Sequence, residues 1–264
     1  MSRIASTFAE LGDQPALIGF ITAGDPTLEH TVPAMHALVA GGVDIIELGV
    51  PFSDPEAEGP AIQASSERAL ENGVTLHSVL EMLQEFRLTN DQTPVVLMGY
   101  LNSFLAMAQF AQTAATAGAD GTIIVNLPPE ETTLFKREYE QAGLDLILLV
   151  APTSSVERRQ YIANQASGFV YYVSLKGITG ANHLNVDDVR DNVAGLKEMT
   201  SLPVCVGFGI KDAHTAGPIA ACSDGVVVGS ALVNLMAEHA DDVAGCATAL
   251  EAFSQSIHAG IATS

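Results

Sequence analysis

Residues 44–60 read DIIELGVPFSDPEAEGP. Five of the first seven are apolar or glycine, and the run stops at Pro51. A short apolar run that does not alternate, ended by a proline, marks a parallel strand covered on both faces. Working outward, seven further runs read the same way: Leu17–Thr22, Val95–Gly99, Gly121–Val125, Asp145–Val150, Gly168–Ser174, Val204–Gly207 and Gly225–Gly229. Between them, Ala34–Val39, Leu76–Phe86, Ser103–Ala117, Glu130–Gln141, Val156–Gln165, Val186–Glu198, Ala213–Ala221 and Ala231–His258 carry apolar residues near helical spacing. Eight strand-then-helix units in 264 residues predict the α/β class and one (β/α)8 TIM barrel spanning residues 1–264. A doubly wound open sheet is the alternative. Two helices are additions to the repeat. One is a short amphipathic helix in MSRIASTFAELGDQ at the start of the chain, and the other is Pro60–Glu71 after the second strand.

The charge balance removes whole classes of partner. Eleven Lys and Arg face 31 Asp and Glu, a net charge of −20. Nucleic acid and anionic membrane surfaces both demand basic residues, so neither is expected. No run of 18 apolar residues predicts a membrane span, and the first residues lack the apolar centre of a signal peptide. Cys205, Cys222 and Cys246 are odd in number and show no metal-type spacing, which fits reduced thiols in a cytoplasmic protein. The seven histidines form no metal pattern either, so no metal is expected.

In a barrel the chemistry sits at the C-terminal ends of the strands. Strand one ends in TAGDP, where Asp25 reads as a helix N-cap. Strand two carries Glu47 inside its apolar run, followed by Asp54, Glu56 and Glu58 in the loop. Glu47 shares a face with Ile45 and Gly49 and so points into the barrel. A carboxyl there is desolvated, its pKa rises, and it becomes a proton donor near neutrality. The competing assignment is a structural carboxylate paired with Lys or Arg, and the strand offers no such partner. Glycines cluster after the last three strands: Gly177 and Gly180 flank Thr179, Gly207 and Gly209 flank Phe208, and Gly229 precedes Ser230. Loops of this kind bring backbone N–H groups close to an anion, and a helix N-terminus adds its dipole. A phosphorylated ligand is therefore expected. Phe20, Tyr100, Tyr171 and Phe208 could line a flat apolar pocket beside it.

Taken together, GFITAGDP (19–26), DIIELGVPFSDP (44–55), GPAIQASSERAL (59–70), VLMGYLN (96–102), NLPPEE (126–131), YYVSLKGITGA (171–181), VGFGI (206–210) and VVVGSALV (226–233) resemble the α subunit of tryptophan synthase, nearly end to end. The resemblance implies a lyase of L-tryptophan biosynthesis. Such a lyase cleaves indole-3-glycerol phosphate by a retro-aldol route into indole and glyceraldehyde 3-phosphate. It places the catalytic glutamate at Glu47, the catalytic aspartate's position at Glu58, and an active-site tyrosine at Tyr171. Gly180, Gly209, Gly229 and Ser230 fall on the phosphate cradle, Phe20, Tyr100 and Phe208 on the pocket, and Thr179 on the closing loop. The resemblance also implies a β subunit as partner in an α2β2 heterotetramer, contacted through Pro51 and Asp54. Pyridoxal phosphate would sit in that β subunit, with no cofactor in this chain.

The sequence departs from the family pattern D-P-x-A-D-G-P, reading DPEAEGP. Glu58 stands where the family has aspartate, and Glu56 where an apolar residue is usual. Asn126 replaces a frequent aspartate. Two other readings compete. A sugar-phosphate epimerase or isomerase barrel would want a metal-ligand set or a lysine base at a strand end, and only Lys176 lies near one. A barrel that has lost catalysis would act as an allosteric partner of the β subunit, a role that needs neither Glu47 nor a phosphate cradle.

Overall fold

Eight short strands pair in parallel in chain order, and the eighth closes on the first. They are β1 (Ala16–Thr22), β2 (Ile45–Gly49), β3 (Val95–Gly99), β4 (Gly121–Ile124), β5 (Asp145–Val150), β6 (Val170–Val173), β7 (Val204–Gly207) and β8 (Gly225–Val228). The computed structural model describes residues 2–174, 186–207 and 209–262. Around the barrel run α1 (Arg3–Leu11), α2 (Leu28–Ala40), α3 (Pro60–Glu71), α4 (Leu76–Arg87), α5 (Leu101–Leu105), α6 (Phe110–Ala117), α7 (Thr133–Ala142), α8 (Val156–Gln165), α9 (Val186–Lys197), α10 (Ala213–Ala220), α11 (Ser230–Glu238) and α12 (Val243–Ala262). This is the predicted (β/α)8 barrel, with both added helices in place.

The continuous apolar runs are explained by two cores on opposite faces of each strand. Ile46, Leu48 and Leu97 face outward onto Met35, Leu38, Leu83 and Phe86 of the helices. Ile18, Ile45, Val96, Ile123, Ile147, Phe169 and Val227 fill the barrel interior. The amphipathic α1 closes the lower end, laying Ile4, Phe8 and Leu11 against that interior. Its start is pinned by polar contacts. Ser2 Oγ donates to Asp145 at 2.9 Å, and Arg3 donates to one oxygen of Asp120 at 2.8 Å.

Asp120 ties the lower end together. Its other oxygen accepts from Arg87 at 2.9 Å and from the Val95 N–H at 2.8 Å. The Asp120 side chain is buried, so removing it strips the largely enclosed Arg87 guanidinium of its charge partner. Asp120→Ala should cost about 3 kcal/mol of folding stability, read by urea denaturation. A loss near zero would show that Arg87 is satisfied by its carbonyl acceptors alone.

The helices differ from the sequence reading in their breaks. The stretch 103–117 is two helices, α5 and α6, because Gln109 adopts a left-handed conformation at φ 54°. The stretch 231–258 is also two. Between α11 and α12, the Asp242 carboxylate accepts the Gly245 N–H at 2.9 Å and so acts as a local cap. A single 3-10 turn, Pro129–Glu131, precedes α7. Asp25 is not an N-cap: α2 is capped at Thr27, and Asp25 instead takes two hydrogen bonds from Arg68 of α3, at 2.6 and 3.1 Å.

Candidate active site

Glu47 lies on β2 between Phe20 of β1 and Val96 of β3 in the strand register. It is completely buried, and neither carboxylate oxygen has a hydrogen-bond partner among the described residues. Burial away from water disfavours its charge and pushes its pKa up to about 8, with the nearby Glu58 carboxyl adding to the rise. At neutral pH Glu47 therefore carries a proton. Among the described residues no Lys or Arg neutralises it.

Glu58 stands above it in a cleft at the C-terminal end of the barrel. Phe20, Phe52, Ile62, Met98 and Tyr100 supply the cleft's apolar walls. Burial raises the Glu58 pKa to about 7. The acidic loop thus splits: Glu58 turns inward, while Asp54 and Glu56 are exposed. Pro51 is buried within the chain itself.

The cleft's aromatic walls come from three strand ends. The Phe20 ring occupies the space that the missing side chain of Gly49 leaves, where a Cβ would lie 2.7 Å from the ring. The Tyr100 ring stacks on Phe52 with centroids 4.9 Å apart, and its hydroxyl accepts the Ala57 N–H at 3.0 Å. Tyr171 projects from β6 into the barrel interior. Burial raises its hydroxyl pKa well above the usual value, and the Glu47 and Glu58 charges push it further. It lies in the electrostatic reach of both acids but not among the cleft's lining residues.

The added helix α3 forms one side of the cleft. Ile62 and Ser66 reach the cavity, the Ser65 and Thr22 hydroxyls share a hydrogen bond at 2.7 Å, and Arg68 grips Asp25. Sequence patterning alone gives Ile62, Ser66 and Phe52 no place in the site. The available signal is the spacing of Ile62 and Ser66, four apart on one helix face.

Gly209 follows β7, and Gly229 and Ser230 follow β8, the strand that pairs with β1. Gly209 takes φ +77°, a conformation suited to glycine. Gly229 precedes α11 with no side-chain cap on the helix, and a Cβ there would meet nothing closer than Phe20 at 3.6 Å. The first N–H groups of α11 thus have no side-chain cap at the strand ends, and an uncapped helix N-terminus suits an anion. Thr179, Gly180 and Phe208 lie outside the described residues. Among the described residues no group of His, Cys, Asp or Glu is arranged to hold a metal ion, no helix is long and apolar enough to cross a membrane, and the three cysteines are free.

A closed parallel barrel of eight strands with two neighbouring buried carboxyls at its C-terminal strand ends defines the class, a (β/α)8 barrel with its candidate site where such barrels carry their chemistry. The profile of the family described as tryptophan synthase alpha chain matches residues 8–262. The tryptophan synthase alpha chain of Chromobacterium violaceum is 57% identical over 235 residues, covering 88% of this chain and 90% of its own. That of Acidithiobacillus ferrooxidans is 54% identical over 261 residues, covering 97% and 93%. Among solved structures, tryptophan synthase subunit alpha from Legionella pneumophila superposes with a TM-score of 0.92 at 42% identity, over 100% of both chains. Tryptophan synthase of Mycobacterium tuberculosis gives 0.88 at 36% identity, over 98% of both. The chain belongs to the tryptophan synthase alpha chain family, and its role is that of the alpha subunit, a lyase in tryptophan biosynthesis.

Proposed function

We propose that the chain cleaves indole-3-glycerol phosphate to indole and glyceraldehyde 3-phosphate. The observation that carries this is the buried Glu47 carboxyl, without a hydrogen-bond partner among the described residues and with its pKa pushed up by burial, near an apolar cleft that holds a second acid. Glu47 donates its proton to indole C3, leaving positive charge on the ring nitrogen. Glu58, when ionised, accepts the ring N–H and stabilises that charge. The Glu47 carboxylate then takes the proton of the glycerol hydroxyl. The carbon–carbon bond to C3 breaks, its electron pair returns the ring to neutral indole, and the aldehyde forms. Glu47 ends as it began, and the atoms balance with no oxidant or reductant. Phe20 and Tyr100 hold the ring, Tyr171 shapes the site from below, and Gly209, Gly229 and Ser230 bind the phosphate with Gly180. The resemblance assigns Phe208 to the pocket and Thr179 to a closing loop, both outside the described residues. Proton transfers of this kind call for no cofactor in this chain.

The partner in this reading is a β subunit carrying pyridoxal phosphate, in an α2β2 assembly in the cytoplasm. Three exposed apolar side chains support it. Leu105, Leu134 and Val156, on the segments after β3, β4 and β5, are 61%, 71% and 62% exposed. Exposed apolar side chains on one end of a barrel suit a protein partner. Buried Pro51 would act by shaping the loop rather than by direct contact.

The assay is indole release from indole-3-glycerol phosphate, with and without a cognate β subunit. Glu58→Asp should raise turnover. The extra methylene shifts the carboxyl by roughly 1 Å, a displacement that can cost on the order of 100-fold. A rate unchanged or lowered in Glu58→Asp would show that the loop already accommodates glutamate. Glu58 and exposed Glu56 also support a second reading, a catalytically weakened barrel that mainly activates its partner. No indole release with intact β activation would select it.

A further inference from the structure

We infer that Gln63 is a positioning residue: its side-chain amide holds the 55–58 turn and thereby sets where the Glu58 carboxyl stands in the cleft. The inference rests on the lyase reading for its kinetic consequence only.

The turn is tight and clamped from two sides. Within it, the Glu56 N–H donates to the Asp54 carbonyl at 2.8 Å and the Glu58 N–H to the Pro55 carbonyl at 3.0 Å. From the β3 side, the Tyr100 hydroxyl accepts the Ala57 N–H. From the α3 side, Gln63 Nε2 donates to the Glu58 carbonyl at 2.8 Å and reaches the Pro55 carbonyl at 3.5 Å. One amide therefore spans both ends of the turn. Gln63 is itself rigidly placed, because its N–H donates to the Gly59 carbonyl at 3.0 Å in the first turn of α3. That helix is anchored to β1 through Ser65 and Arg68. A glutamate has one more bond of reach than an aspartate, so the position of its backbone decides where its oxygens end. Gln63 fixes that backbone at the Glu58 carbonyl.

The ionisable groups around Glu58 are Glu47 from β2, Tyr100 from β3, Tyr171 from β6 and Glu56 from its own loop. None is touched by changing Gln63. A change in the Glu58 titration would therefore report the turn's position rather than a lost charge.

The test uses the full chain, labelled with 13C at the glutamate carboxyls, with the Glu58 signal assigned by its absence in Glu58→Gln. Gln63→Met keeps length and volume but removes both donors. The Glu58 midpoint is expected to fall from about 7 by one pH unit or more, towards the ordinary value of about 4.3, as the released turn admits water. In the lyase assay kcat should fall about tenfold, while KM changes less than about twofold, because Gln63 holds the turn that carries Glu58 and not the segments after β7 and β8 proposed to bind the phosphate. A purely structural glutamine would lower the melting temperature without moving that midpoint. A midpoint that stays put overturns the inference, whatever happens to kcat. Absence of indole release from the parent chain would instead sink the lyase reading and leave the titration to decide the role of Gln63. Should Gln63→Met fail to fold, Gln63→Leu gives the same reading, since it too lacks a donor and adds no charge beside Glu58.

Discussion

Replacing Glu47 with glutamine should abolish indole release and, at pH 8, make the folded chain more stable. The first effect follows from the loss of the group proposed to give and take the proton, with a fall of about 10²- to 10⁴-fold. The second follows from linkage. The folded state holds the Glu47 proton up to about pH 8, whereas the unfolded chain releases it near the ordinary glutamate value of about 4.3. Between those values the native state binds the extra proton, so the wild-type chain loses stability as pH rises, by about 1.4 kcal/mol for each pH unit. Above pH 8 the loss is complete. Glu58, raised to about 7, adds a smaller loss of the same sign that the variant keeps. Urea denaturation from pH 5 to pH 9 should give two curves that lie close together at pH 5 and separate towards pH 8, with Glu47→Gln above. Parallel curves would mean that Glu47 is hydrated or paired in solution.

Gly207→Ala should damage the site as severely by a steric route. Gly207 ends β7 beside Tyr171 of the neighbouring strand, in the layer above the Tyr171–Cys205 register pair. A Cβ at 207 would collide with the Tyr171 hydroxyl and sit 2.5 Å from its Cζ. The ring projects into the packed barrel interior, so it cannot withdraw without displacing other core side chains. The expected cost is about 1–3 kcal/mol of stability, with a loss of activity larger than Tyr171→Phe causes, since the displaced ring would press towards Glu47. Restoring stability by pairing Gly207→Ala with Tyr171→Val would confirm that the collision is the cause. If Gly207→Ala alone is as stable and active as the parent chain, the Tyr171 ring is free to move.

Much of this arrangement can be read directly from the chain. The two-sided burial of each strand makes its apolar run continuous, and eight such runs with helices between leave few other architectures. Glu47 is visible because a carboxyl within an unbroken apolar run has no surface to reach. What escapes is contact between elements far apart in sequence. Asp25 looks like a helix cap from its neighbours, but its partner is Arg68, 43 residues on. The break at Gln109 carries no glycine or proline to announce it. Phe52 and Ile62 become walls of the cleft only once the loop after β2 folds back over the strand ends. Glu58 presents the opposite case: the resemblance marks its position, but only the fold shows an exposed loop turning one of its three acids inward.

The plug formed by α1 has a bearing on traffic. With Ile4, Phe8 and Leu11 seated on the interior side chains and Arg3 fastened to Asp120, the lower end of the barrel is shut. Among the described residues, the cleft lies at the other end, at the C-terminal ends of the strands, and exchange with solvent falls to that mouth. The vessel is single-ended, and whatever covers its rim governs both loading and unloading. A small apolar product released there would have no back door to solvent, so a lid and an exit would be the same surface.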